Sequence, residues 1–135
     1  MTLKQTRAII EPYAASHDPA CIAENAVFID MGTGERHEGR EAIAGMLHWI
    51  YHVAFDATAE DVRLIIGEGK ATLEANFVGV HIGEFAGIEA TGRSVRVPLC
   101  VTYNVAEHGI TEARVYMMAG VMMQQLGAME ATEAG

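Results

Sequence analysis

Positively charged residues are scarce in this sequence. Its 135 residues include 9 lysines and arginines against 18 aspartates and glutamates, which gives a formal net charge of -9 at pH 7. No basic cluster reverses this balance locally, so the phosphate backbone of a nucleic acid would be repelled. We therefore expect no nucleic-acid partner.

Long apolar runs are also missing. No stretch approaches the ~20 apolar residues that a membrane-spanning helix needs, and the N-terminus lacks the features of a secretory signal. We therefore expect a cytoplasmic protein without membrane contact. The two cysteines, Cys21 and Cys100, are far apart and form no CxxC motif. This spacing favours two buried thiols over a disulfide or a metal pair.

Signatures of nucleotide binding and serine catalysis are absent as well. The sequence contains no GxSxG, GxxxxGK[ST] or GxGxxG pattern, which argues against a nucleophile elbow, a phosphate loop and a dinucleotide site. We expect no cofactor. Half of the residues are hydrophobic and a fifth are charged, a balance typical of a globular protein. The length favours one domain spanning residues 1–135.

Helical patterns occupy much of the first part of the chain. Leu3 to about Ala15 has helical composition, interrupted by Pro12. Asp18 and Pro19 are typical of a helix start, as N-cap and first-turn residue. A further helix is predicted from Ala42 to about Val53, where apolar residues recur at helical spacing.

Strand patterns account for most of the remainder. Strands are predicted at residues 26–29, 62–66, 72–77, 95–105 and 112–117. The last three alternate with period two between an apolar and a mixed face, as in an antiparallel sheet covered on one side. Helices followed by a strand meander predict an α+β fold. We expect the mixed face to form the outer surface of the sheet, with Glu74, Asn76, Thr102, Asn104, Glu112, Arg114 and Tyr116.

Several segments resemble the SnoaL-like polyketide cyclases. Residues 81–88 and 90–93 resemble the signature loop of that family, and residues 124–127 resemble its C-terminal motif. Residues 25–30 and 39–43 are similar to patterns of the wider nuclear transport factor 2-like superfamily. The resemblance implies a cone-shaped α+β barrel, in which a strongly curved, mostly antiparallel sheet and about three helices surround a pocket for a small-molecule ligand. It also implies a homodimer formed through the outer face of the sheet.

The resemblance implies several activities, among them ring closure and ketosteroid isomerisation. The acid/base aspartate of the cyclases falls on Val115 here, and a second pocket carboxylate falls on Val101. Both valines lie on the apolar strand faces, so we interpret them as ligand-binding positions. Their presence keeps open a non-catalytic protein that binds a small hydrophobic or polyketide-like molecule.

Asp30 is a carboxylate whose position does match that of a catalytic residue in the related proteins. Its place at a strand end resembles that of the general base of ketosteroid isomerases, and it shares a strand face with Phe28. A desolvated carboxylate suits proton abstraction next to a carbonyl group. The alternative is that Asp30 caps the turn that follows it.

The second predicted helix carries further polar candidates. His48 and His52 lie at i,i+4 and share one helix face, but this spacing alone is weak evidence for a metal, and we expect none. An isomerase or cyclase needs a donor to stabilise an enolate, and Tyr51, His52 or Tyr103 would supply it. The alternative for the helix residues is a partly exposed face.

The remaining candidates concern ligand binding. Tyr103 lies on an apolar strand face, where its hydroxyl needs a partner or a ligand. His81 begins the signature loop and is expected to orient it. Met118 belongs to a methionine-rich segment, which we expect to fill the core or to close the mouth of the cone. The catalytic candidates are Asp30, Tyr51 and His52, and the ligand-binding candidates are Phe28, His48, Phe77, His81, Val101, Tyr103, Val115 and Met118.

Overall fold

The computed structural model describes residues 1–128 and contains three α-helices and six β-strands. A 3-10 turn precedes the first strand, and a π-helical turn follows the second helix. In chain order the elements are α1 (Leu3–Ser16), the 3-10 turn (Pro19–Cys21), β1 (Ile22–Asp30), β2 (Arg36–Glu38), α2 (Arg40–His48), the π-helical turn (Trp49–Ala54), β3 (Phe55–Ile66), β4 (Lys70–His81), β5 (Ser94–Ala106), β6 (Gly109–Met117) and α3 (Ala119–Gln125).

The strands form one sheet in the order β2–β1–β6–β5–β4–β3. β1 and β6 run parallel, and the other neighbouring pairs of this sheet are antiparallel. The α+β class and the mostly antiparallel sheet expected from the sequence are confirmed. β2 and β3 are edges, so the sheet is open and does not close into a barrel.

Alternation along the strands separates a buried face from an exposed one. The inward residues of β4 and β5 are buried, those of β6 are buried or half-buried, and all pack in or against one hydrophobic core. Ile10 of α1, Ile43 of α2 and Met122 of α3 pack into the same core. The residues expected on the outer face are exposed or half-buried, because successive side chains of a strand point to opposite sides of the sheet.

α1 continues through Pro12, contrary to the expected interruption. A proline removes one N–H from a helix, and here Ile10 and Tyr13 are both buried on the inner face of α1. Their packing outweighs the lost hydrogen bond. A capping box between Thr2 and Gln5 closes the first turn.

The helix expected over 42–53 forms in two parts. Regular α-helix ends at His48, and a π-helical turn carries the chain from Trp49 to Ala54. Asp18 accepts a hydrogen bond from the Ala20 amide at 2.9 Å, as expected of an N-cap, but only a three-residue 3-10 turn follows. The strand β2 and the helix α3 are not predicted from the sequence, because each is short and lacks clear periodicity.

Candidate functional site

A cavity of about 600 Å³ lies against the inner face of the sheet. Its lining comes from α1, β1, the turn before β2, α2, the π-helical turn, the inward faces of β3 to β6, and the loop after β4. Most of the lining is apolar or aromatic. The aromatic rings are those of Tyr13, Phe28, Trp49, Tyr51, Phe77, Phe85 and Tyr103.

The register of the sheet decides which strand residues share this cavity. Asp30 of β1 pairs with Val115 of β6, which pairs with Val101 of β5. Two residues before Asp30, Phe28 pairs with Ala113 of β6, which pairs with Tyr103 of β5. Because neighbouring strands lie ~4.8 Å apart, the backbones of Asp30 and Val101 are separated by about 10 Å across one concave face.

Three tyrosines place hydroxyl groups in this apolar environment. Tyr13 and Tyr103 are buried, and Tyr51 is half-buried. Tyr13 and Tyr103 pack edge to face with ring centroids 5.8 Å apart. Within residues 1–128, none of the three hydroxyls has a hydrogen-bonding partner among the protein groups. The cavity therefore offers three hydrogen-bond donors to an oxygen atom of a ligand.

Burial raises the pKa of all three tyrosines. Desolvation raises the pKa of Tyr51 to about 12. Desolvation, and next the interaction with Tyr51, raise the pKa of Tyr103 still further. The pKa of Tyr13 is also raised well above its ordinary value, first by burial and then by the neighbouring Tyr103 and Tyr51. At neutral pH the three groups are O–H donors.

Asp30 lies at the end of β1, where the chain turns toward β2. Its Oδ1 accepts hydrogen bonds from the amides of Gly32, at 2.8 Å, and Thr33, at 3.3 Å. Its other carboxylate oxygen has no hydrogen-bonding partner within residues 1–128. Asp30 also lines the cavity. The turn therefore holds one oxygen in place and leaves the other one available.

Two further polar residues line the cavity beside Asp30. His37 of β2 lies opposite Phe28 in the sheet register, and its Nε2 is 3.7 Å from a carboxylate oxygen of Glu35. His37 is half-buried, whereas Glu35 is exposed. The edge of the cavity near β2 is therefore more polar than its sheet wall.

His17 completes the set of polar groups in the lining. It follows the last residue of α1 and packs its ring against Tyr13 and Tyr51, with centroid distances of 5.3 and 4.8 Å. Desolvation, together with the nearby His52, lowers the pKa of His17 below its ordinary value. His17 is therefore a neutral imidazole at pH 7.

The sequence of residues 2–126 matches the profile of the SnoaL-like polyketide cyclases. The chain belongs to this family. The match covers most of the 135 residues and confirms the family resemblance of the sequence motifs. No curated protein shows a significant match to the chain.

Solved structures show the same fold as this SnoaL-like chain. A candidate polyketide cyclase from Xanthomonas campestris pv. campestris has a TM-score of 0.80 at 19% identity, covering 91% of this chain and 97% of its own. IdmH, a candidate polyketide cyclase from Streptomyces antibioticus, has a TM-score of 0.71 at 24% identity, covering 94% and 99%. AclR, a candidate hydroxylase from Streptomyces galilaeus, has a TM-score of 0.76 at 16% identity, covering 93% and 98%.

The structure brings most of the predicted site residues of this SnoaL-like chain together. Seven of them line the cavity and come from four strands, β1, β4, β5 and β6, and from the π-helical turn: Phe28, Asp30, Tyr51, Phe77, Val101, Tyr103 and Val115. Val101 and Val115 occupy the sheet wall between Asp30 and β4. Their roles in binding stay predictions.

Four predicted residues do not line the cavity, and three of them are exposed. His48 and His52 are exposed, with ring centroids 5.4 Å apart, so the shared helix face points to solvent while Tyr51 points inward. Met118 is 54% exposed, because it follows the last residue of β6. Its neighbour Met117 lies on the inward strand face and lines the cavity instead.

His81 is fully buried but does not line the cavity. Its Nδ1 accepts a hydrogen bond from the Thr91 amide at 3.1 Å and lies 2.9 Å from the Thr91 hydroxyl. Its Nε2 is buried without a partner in the described part of the chain. The contacts of His81 therefore tie the two ends of the loop 82–93 together, consistent with an orienting role. That loop places Phe85 against Trp49, with stacked rings 5.8 Å apart.

Tyr13, His17, His37 and Phe85 are among the lining residues that the sequence did not identify as site residues. Ile10, Tyr13, Ala14 and His17 lie at i, i+3, i+4 and i+7, which is the signal of one helix face. That face identifies Tyr13 and His17 as inward residues of α1, but the spacing does not show that they meet the cavity. No comparable pattern marks His37 or Phe85, which lie on a three-residue strand and a loop.

Within residues 1–128, no group of three or more His, Cys, Asp or Glu side chains is arranged to hold a metal ion. Cys21 and Cys100 are both free thiols. Over the same residues, no helix combines the length and the hydropathy required to cross a lipid bilayer.

Proposed function

We propose that this protein is a cofactor-independent isomerase or cyclase that acts on a small carbonyl compound. The observation that carries the proposal is the group of three tyrosines that line the same cavity as Asp30 and whose hydroxyls have no protein partner within residues 1–128. These groups supply the two functions that enolisation requires, an acceptor for the α-proton and donors for the oxygen that becomes negative.

The donors stabilise the enolate more than the carbonyl compound from which it forms. Negative charge develops on the carbonyl oxygen as the α-proton leaves, and hydrogen bonds from Tyr13, Tyr51 and Tyr103 strengthen with that charge. The apolar lining lowers the local dielectric, which increases the effect.

Asp30 is the proton acceptor in this proposal. Its Oδ1 is fixed by two turn amides, so the second oxygen is presented in a defined direction. In the proposed step that oxygen takes the α-proton, and the electron pair of the C–H bond moves into the enolate. Return of the proton to another carbon gives isomerisation. Attack of the enolate carbon on a second carbonyl group gives ring closure, and the alkoxide formed then takes the proton back from Asp30.

Deuterium exchange tests this function directly. We would incubate the protein with 2-tetralone, or with a Δ5-3-ketosteroid, in D₂O and follow loss of the α-proton signals by NMR. The wild-type protein is expected to accelerate exchange, and Asp30→Asn is expected to lose about 10²-fold or more of that acceleration. Asp56→Asn, at an exposed position of β3, serves as the matched control. Unchanged exchange in Asp30→Asn would contradict the role of Asp30 as the proton acceptor.

A second candidate function is ligand binding without turnover. The valines at positions 101 and 115 favour it, because they occupy sites where the resemblance implies carboxylates. Trp49 is the only tryptophan of the chain and lines the cavity, so its fluorescence reports occupancy. Quenching by 2-tetralone without any acceleration of exchange supports binding alone. Acceleration of exchange supports the enzyme.

A homodimer through the outer sheet face is part of the proposed assembly, and the cytoplasm is the proposed location. The face carries Tyr116, which is 45% exposed, among the charged side chains of Glu74 and Arg114. Light scattering at micromolar concentration is expected to give twice the chain mass, and Tyr116→Glu is expected to shift it toward the monomer. A monomer mass for the wild-type protein contradicts the dimer. Cell fractionation tests the location.

A further inference from the structure

His17 occupies an unusual position for a histidine. It is the C-cap of α1 and adopts left-handed backbone angles, φ 54° and ψ 35°. Residues other than glycine adopt this conformation at a cost, and asparagine tolerates it better than most. The amide of His17 bonds to the carbonyl oxygen of Tyr13 at 2.7 Å. This backbone geometry turns the imidazole toward the cavity, which it lines.

The ring of His17 lies between two of the cavity tyrosines. Its centroid is 5.3 Å from that of Tyr13 and 4.8 Å from that of Tyr51. Within residues 1–128, its ring nitrogens have no hydrogen-bonding partner. His52, which follows Tyr51 on the π-helical turn, is exposed and close enough for its charge to act on His17. An unpartnered imidazole therefore faces the cavity on one side and an exposed histidine on the other.

We propose that His17 is a second proton-transfer residue of this cavity, serving a C–H or O–H group of a substrate whose oxygen is held by Tyr13 and Tyr51. The inference rests on the function proposed above and deepens it. It predicts a substrate class: carbonyl compounds with a second ionisable position, such as β-dicarbonyl or hydroxycarbonyl compounds. Asp30 serves one position and His17 serves the other.

The step conserves atoms and electrons without a co-reactant. The unprotonated nitrogen of His17 forms a bond to the proton as the C–H or O–H bond of the substrate breaks. The electron pair stays on the substrate as an enolate or alkoxide, whose oxygen accepts hydrogen bonds from the tyrosines. The imidazolium then returns the proton to another atom of the same substrate, which restores the neutral compound and the unprotonated ring. Burial lowers the pKa of His17, so the ring is unprotonated at the start of the cycle.

Substitution by glycine separates a chemical role of His17 from a structural one. Glycine adopts the left-handed conformation freely, so His17→Gly is expected to retain the helix cap and the melting temperature. It removes the imidazole and leaves a gap that exogenous imidazole can fill. His17→Asn keeps a side chain that tolerates the same backbone angles. His108→Asn, in the exposed turn between β5 and β6, is the control.

The experiment measures deuterium exchange of 2-tetralone and of a cyclic β-dicarbonyl compound, with and without added imidazole. We expect His17→Gly and His17→Asn to lose about 10²-fold of the acceleration, and imidazole to restore part of it in His17→Gly but not in Asp30→Asn. Wild-type exchange that persists in His17→Gly contradicts this inference and leaves the proposed function standing. Loss of exchange with a lower melting temperature and without rescue by imidazole indicates a structural role and overturns the inference. If the wild-type protein accelerates neither exchange, the proposed function itself fails.

Discussion

At the scale of single residues, the cavity combines buried donors with an absence of protein acceptors. Tyr103 is 5% exposed, and its hydroxyl has no partner within residues 1–128. That oxygen is not among the fully buried polar atoms without a partner, so it is open to the cavity. A hydrogen bond from it to an oxygen atom of a ligand therefore adds to binding without removing a bond from the fold.

Replacement of Tyr103 by phenylalanine tests whether the hydroxyl contributes to ligand binding or to the stability of the fold. We expect Tyr103→Phe to keep the free energy of unfolding within about 1 kcal/mol of the wild-type value, because no protein hydrogen bond is lost. We expect the affinity for 2-tetralone to fall about tenfold, which corresponds to one lost hydrogen bond. Urea titration gives the first quantity and calorimetry the second. A large loss of stability with unchanged affinity would show that the hydroxyl serves the fold.

At the scale of elements, one side chain acts as a substitute for a strand. β6 ends at Met117, opposite Leu99 of β5, so the backbone of Arg96 has no β6 neighbour. The side-chain amide of Gln125 takes that place: its Oε1 accepts from the Arg96 amide at 2.7 Å, and its Nε2 donates to the Arg96 carbonyl at 2.9 Å. This pair of bonds attaches α3 to the sheet and gives the C-terminal motif a physical role.

Truncation of Gln125 is expected to loosen this attachment. Gln125→Ala removes two hydrogen bonds and leaves the Arg96 backbone groups without their partner, a loss of about 1–2 kcal/mol in the free energy of unfolding. Hydrogen exchange at the Arg96 amide should become faster at the same time. Glu107→Ala, in an exposed turn, controls for a surface truncation. Equal stability of the two variants would contradict the role of Gln125.

Substitution by alanine is expected to change stability in opposite directions at two glycines, because their surroundings differ. A Cβ at Gly79 would lie 2.2 Å from the carbonyl oxygen of Asp56 on the paired strand, so Gly79→Ala is expected to cost about 1–3 kcal/mol or more. A Cβ at Gly45, within α2, would meet nothing within 4 Å, so Gly45→Ala is expected to stabilise by about 0.5–1 kcal/mol. Thermal unfolding of both variants checks the pair. A stable Gly79→Ala protein would disprove the close approach of β3 and β4.

At the scale of the whole molecule, a concave sheet and its helices enclose ionisable groups that are rarely buried. The open sheet leaves room beside its inner face, where α1 and its C-cap place Tyr13 and His17, the π-helical turn places Tyr51, and β5 places Tyr103. Desolvation favours the neutral form of each. The free energy of unfolding therefore depends on pH in both the acidic and the alkaline range.

The tyrosines determine how the free energy of unfolding changes with pH in the alkaline range. Tyr51 has a pKa of about 12 in the folded chain and an ordinary value of 10.0. Between these values the unfolded chain releases a proton that the folded chain retains, so the stabilisation is complete below pH 10 and is lost as pH rises toward 12. Urea titrations from pH 8 to 11.5 should show this decline, with a smaller decline in Tyr51→Phe. A constant free energy of unfolding over that range would contradict the burial of the phenols.

The sequence predicted those parts of the site that depend on local periodicity. Alternation along β5 and β6 places Val101, Tyr103 and Val115 on one face, and the structure has them on the cavity side. The sequence did not show which of Tyr51 and His52 faces the cavity, because both are polar residues of the same predicted helix. The π-helical turn and the docking of that segment on the sheet direct Tyr51 inward and leave His52 in solvent.

The sequence by itself determined the family, the α+β class and the inward face of the strands, because these follow from motifs and from the two-residue period of a strand. Tertiary structure alone decided that α1 contributes Tyr13 and His17 to the cavity, beside Tyr51 and Tyr103. These residues lie far apart in the chain. Their meeting depends on how a helix docks on a curved sheet, and no local pattern contains that information.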